Sequence, residues 1–107
     1  MRPEDDIIGW TRAVEACSRD GRRPPALLYG SGAKVVCLTS LDVYGGGFYV
    51  QVAVSGFGAA STFSHNVVHA TRNALEWVSE TAKAGDIPDH IADQISGWIA
   101  ALAKDSP

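Results

Sequence analysis

Hydrophobic positions recur at helical spacing near both ends of the chain and alternate in its middle. Ile7, Trp10, Val14 and Cys17 repeat at intervals of three and four residues, which predicts an amphipathic helix from Pro3 to about Ser18. Pro3 suits the first helical position, and Glu4, Asp5 and Asp6 follow where the helix dipole favours acids. Arg19, Arg22 and Arg23 cluster at the far end, and Gly21 with Pro24-Pro25 stops the helix.

The period then shortens to two. Ala26 to Tyr29 is a short apolar run closed by Gly30-Ser31-Gly32, and Lys34 to Leu41 is rich in β-branched residues. Phe48 to Val54 places Phe48, Val50, Val52 and Val54 on one face and Tyr49, Gln51 and Ala53 on the other. Tyr44-Gly45-Gly46-Gly47 connects it to the preceding run, and Gly56-Phe57-Gly58 turns the chain into Ala59 to Phe63. Three or four short strands joined by hairpin-length loops imply an antiparallel sheet.

Helical spacing returns after Ser64, taken as an N-cap, and runs to about Ala84, with Val67, Val68, Thr71, Ala74, Leu75, Val78 and Ala82 as the buried stripe and Trp77 at its edge. Gly85 ends that helix. Pro88 opens the last one, whose stripe is Ile91, Ile95, Trp98, Ile99 and Leu102. The short connection predicts that these two helices pack as an antiparallel pair. The whole is a single α+β domain over residues 1–107: N-terminal helix, three- or four-stranded antiparallel sheet, two C-terminal helices.

Composition narrows the setting. The net charge of -3 disfavours a phosphate-tracking surface, so nucleic acid is an unfavoured partner. The N-terminus carries acids rather than an apolar signal run, and no stretch reaches the roughly 18 apolar residues of a membrane span. Cys17 and Cys37 have neither a metal-knuckle spacing nor the number for a disulfide scaffold. The expectation is a cytoplasmic protein with reduced, buried thiols.

Charge changes the picture more sharply in the middle of the chain. From Val35 through Thr71 only Asp42 is charged. An antiparallel sheet with one wet face normally shows ions there. Here the second face offers Tyr49, Gln51 and Ala53, joined by Cys37 and Thr39 or by Val36 and Leu38 according to register, with Tyr29, Tyr44 and Phe57 in adjoining strand ends and loops. Two arrangements satisfy this pattern. The first helix covers one face and the last two cover the other, or all helices share one face and leave a neutral, aromatic face for a protein contact or homodimer seam.

Candidate chemistry is sparse. His65-Asn66-Val67-Val68-His69 carries the histidine spacing of the zinc-protease helix, with Glu76 as a third ligand, but Asn66 replaces the glutamate base and Arg72 projects between His69 and Glu76. Gly56-Phe57-Gly58-Ala59-Ala60-Ser61 has the outline of a dinucleotide fingerprint but opens another strand rather than a helix, which makes it a hairpin turn. Neither Gly45-Gly46-Gly47 nor Gly30-Ser31-Gly32-Ala33-Lys34 ends as a phosphate loop does, no Gly-x-Ser-x-Gly elbow occurs, and Cys37 lies in an apolar strand. These features assign no catalytic residue, metal ligand or cofactor.

Two resemblances bear on function. Over about the first 84 residues the element order resembles the double-stranded-RNA-binding domain. That resemblance implies RNA contact through the start of the second helix, here Ser64-His65-Asn66-Val67, and the strand loop Tyr44-Gly45-Gly46-Gly47, with Arg19, Arg22, Arg23 and Lys34 as the basic patch. The small acidic α+β chain, with a glycine-jointed hairpin before Ala70-Thr71-Arg72-Asn73-Ala74-Leu75-Glu76-Trp77, is also similar to phage-encoded anti-CRISPR proteins. This second resemblance implies inhibition by masking a site on a larger bacterial defence complex.

The reading that follows is a non-enzymatic protein-binding module of inhibitor type, using Tyr29, Tyr44, Tyr49, Gln51 and Phe57, with a homodimer as a further use of the same surface. The alternatives are a double-stranded-RNA-binding domain and a small metal-dependent enzyme using His65 and His69.

Overall fold

The computed structural model describes residues 3–30, 35–41, 45–56, 58–82 and 87–105. In chain order the elements are α1 (Pro3–Asp20), β1 (Leu27–Tyr29), β2 (Val35–Leu41), β3 (Phe48–Val54), β4 (Gly58–Ser64), α2 (Val67–Ala82) and α3 (Asp89–Asp105). The four strands form one antiparallel sheet in the order β1-β2-β3-β4. The expected α+β order is therefore present. The expected helix end at Ala84 and stop at Gly85 lie outside the described residues.

One face of the sheet holds the core. Val35 and Cys37 of β2, Phe48, Val50, Val52 and Val54 of β3, and Ala60 of β4 are buried and share one parity. They join Ile7, Trp10 and Val14 of α1, Leu75 and Val78 of α2, and Ile91, Ile95, Trp98 and Leu102 of α3 in a single cluster. α2 lies on β3 and β4, while α3 packs against both α1 and α2. All three helices thus share one side of the sheet, and the arrangement with helices on both faces is not the one adopted.

Local chemistry sets the ends of the helices. Gly21 adopts φ 69° just after α1, and the Arg22 amide donates to the Cys17 carbonyl at 2.9 Å. This six-to-one bond satisfies a carbonyl that the helix end would leave open. The Trp10 indole N–H donates to the Pro25 carbonyl at 2.8 Å, tying α1 to the segment that leads into β1.

The start of α2 differs from expectation. Ser64 is the last residue of β4, paired with Phe48. The cap is Asn66, whose Oδ1 accepts from the amides of Val68 at 2.9 Å and His69 at 3.2 Å. Ser64 Oγ instead accepts from the Asn66 amide at 3.1 Å and shapes the turn before the helix. Asn66→Ala removes both amide partners and is expected to lower stability by about 1 kcal/mol, with Asn66→Asp retaining most of it. Urea titration of the three proteins checks this.

Candidate protein-docking face

Alternation along the strands places a second set of side chains on the face away from the helices. The register aligns Leu28, Val36, Ala53 and Ala59 in one row, Leu38, Gln51 and Ser61 in the next, and Ser40, Tyr49 and Phe63 in a third. None of these residues is charged. The register selects Val36 and Leu38 for this face and sends Cys37 and Thr39 to the other.

This face is open. Leu28 is 59% exposed, Tyr49 52%, and Leu38 and Phe63 42% each. Among the described residues, the one other exposed large hydrophobic side chain is Trp77 on α2. Leu38, Ser40, Tyr49, Gln51 and Ser61 border a shallow depression of about 270 Å³ in the middle of the face.

An aromatic corner bounds the depression. Tyr49 and Phe63 are direct cross-strand partners, with ring centroids 4.7 Å apart and planes at 46°. Phe63 also meets the His65 ring edge-on at 5.3 Å. Gly47 lies beneath Phe63, and a Cβ there would collide with the ring. Its lack of a side chain lets the aromatic ring lie over the backbone instead of standing clear of it.

Of the residues expected at this surface, Tyr49 and Gln51 are on it. Tyr29 is not: it pairs with the buried Val35 and packs edge-on against Trp98 at 5.7 Å on the helix side. Tyr44 and Phe57 lie outside the described residues. Phe63 and Leu28 were missed. The signal for Phe63 was the alternation Ala59, Ser61, Phe63 against Ala60 and Thr62.

The remaining chemistry does not converge. His65 is exposed and precedes α2, so it and His69 are not successive turns of one helix. No three metal-ligating side chains are grouped among the described residues. Arg72 pairs with Glu76 at 3.8 Å, as their spacing requires. Arg22 of the basic cluster is held by Asp20 at 2.9 Å, and Lys34 lies outside the described residues. Burial pushes the Cys37 thiol up to about 12, far from a nucleophilic thiolate. No helix among the described residues is long and apolar enough to cross a membrane.

Compared with known protein families, with curated proteins and with solved structures, the chain finds no match in any of the three.

Proposed function

We propose that this protein is a binding module that docks another protein on the open face of its sheet. One observation carries the reading: the sheet is covered on one side only, and its other side presents Leu28, Leu38, Tyr49 and Phe63 to water with no charge on any strand. Charge depletion and aromatic enrichment are the marks of an interface core. Gln51, Ser40, Ser61 and the Tyr49 hydroxyl supply hydrogen-bonding groups that fix orientation without ions. The partner surface is accordingly neutral and partly apolar. Inhibition by masking a site on a larger bacterial assembly is the form of docking that the anti-CRISPR resemblance adds to the proposal.

The test is a dissociation constant. A partner captured from the native host is purified and titrated by calorimetry with the wild type, with Tyr49→Ala and with Tyr49→Ala/Phe63→Ala. Aromatic anchors at interface centres carry about 2 kcal/mol or more each, so each truncation is expected to weaken binding at least about tenfold. Glu80→Ala, on an exposed turn of α2, is expected to leave it unchanged. Equal affinity for the wild type and the double variant would remove the proposal.

A further inference from the structure

The two edges of the sheet are unlike one another. β1 is three residues long, follows Pro24-Pro25 and lies close in sequence to Arg22 and Arg23. Shortness, proline and charge are the usual means of blunting an edge against pairing. β4 has none of them. It runs for seven residues, Gly58-Ala59-Ala60-Ser61-Thr62-Phe63-Ser64, with no charge and no proline. Its register with β3 is unbroken over the whole length, so no bulge turns it aside. β3 occupies one edge, and among the described residues no backbone group pairs with the other.

The helix layer above this edge ends in an apolar side chain. The Thr62 hydroxyl donates to the Ala70 carbonyl at 2.5 Å, which sets the Ala70 flank of α2 over β4. Trp77 lies seven residues further, two turns on and therefore on the same flank. It is 61% exposed, and of its exposed neighbours on that flank Asn73 and Thr81 are neutral, while Glu80, three residues on, brings one acid to the rim.

We propose that two copies of this chain associate about a two-fold axis beside β4, their β4 strands pairing antiparallel to make one eight-stranded sheet. Pairing centred on Ser61 sets Ala59 opposite Phe63 of the partner subunit on the open face, small against large. Ala60 then meets Thr62 of the partner subunit on the covered face, and the two Trp77 rings close the helix layer across the axis. The seam is about 24 Å long, from seven residues of strand, and about 20 Å deep through the sheet and helix layers. That is roughly 500 Å² a side, and the total of roughly 1,000 Å² stands at the lower threshold for a biological interface, the size of a weak, concentration-dependent dimer. The absence of charge on β4 matters because a two-fold axis sets each residue near its own copy, where any ion would be repelled.

Sedimentation velocity of the full chain, from low to high micromolar concentration, tests this. The mass is expected to move from 11.3 kDa toward twice that value. Acrylamide quenching of Trp77 is expected to fall in parallel, against a constant background from the buried Trp10 and Trp98. Trp77→Ala and Ala59→Lys, each checked for an unchanged circular dichroism spectrum, are each expected to raise the dimer dissociation constant by about tenfold or more.

A chain of 11.3 kDa at every concentration overturns the dimer and leaves docking on the open face standing. A dimer untouched by both variants overturns the seam. So does a dimer lost in Tyr49→Ala but kept in Trp77→Ala, which moves the second copy onto the sheet face.

Discussion

Trp98→Ala is expected to destabilise the fold by about 4 kcal/mol, within the range for truncating a buried tryptophan. Trp98 is fully buried on α3, in line with Ile91, Ile95 and Leu102, and meets Tyr29 edge-on at 5.7 Å. It therefore joins two parts of the structure that little else connects, α3 and the three-residue strand β1. Truncation leaves a cavity in the core under α3, and it removes the ring against which Tyr29 of β1 is held. A domain of this length has about 5–15 kcal/mol of stability in all, so the variant keeps the fold with a small margin or loses it at physiological temperature. Thermal melting is expected to fall by roughly 20 °C, from about 4–8 °C per kcal/mol for a small domain. The contrast is Trp77→Ala at concentrations where the chain is monomeric. That ring is exposed, and its removal is expected to change the unfolding free energy from urea titration by about 0.5 kcal/mol or less. A Trp98→Ala loss under about 1 kcal/mol would mean that α3 is not seated as described.

The period of the hydrophobic pattern made most of the architecture legible. It passes from helical spacing in Ile7 to Cys17, to alternation in Phe48 to Val54, and back to helical spacing in Val67 to Leu102. Only one arrangement of layers was hard to read. β3 alternates Val against Tyr and Gln, yet an uncharged second face fits a buried sheet as well as an open one. What decides between them is long-range packing: α3 has apolar surface toward both α1 and α2, and so draws all three helices to one side.

Register was legible where alternation was strong and hidden where it was weak. β2, Val-Val-Cys-Leu-Thr-Ser-Leu, is apolar in both parities, and pairing with Val52 and Val54 selects Cys37 and Val35 for the core. β1 is too short to carry a period. Tyr29 faces Trp98 because of its pairing with Val35, not because of its own neighbours. Phe63 sits among small residues that carry little signal, and its value to the candidate site comes from Tyr49 on the adjoining strand. Ser64 and Asn66 are both good capping residues. The ladder with Phe48 takes Ser64 into the sheet, which leaves the cap to Asn66 and puts His65 outside the helix.

The second large effect is expected in alkali, through Cys37. Its thiol is fully buried, and burial alone moves it from an ordinary value of 9.0 up to about 12. The folded chain therefore keeps this proton well above the pH at which the unfolded chain releases it. Between those values the folded state binds more protons, so stability falls as pH rises. Below pH 9.0 the contribution is fully present, and it is lost progressively toward about 12. The slope approaches about 1.4 kcal/mol per pH unit, and the total reaches up to about 4 kcal/mol. Tyrosines and lysines titrate over the same range, which makes Cys37→Ala the necessary reference: it keeps those groups and Cys17 but lacks the buried thiol. Urea titrations of both proteins across the alkaline range should show wild type declining more steeply, with the difference between the curves following the thiol. In the same window a thiol reagent should reach Cys37 at a rate set by opening of the fold, since the thiolate is the reactive form and the native pocket suppresses it. Parallel stability curves for the two proteins would show that water reaches the β2 side of the core, against the packing of Cys37 beside Leu27 and Val52.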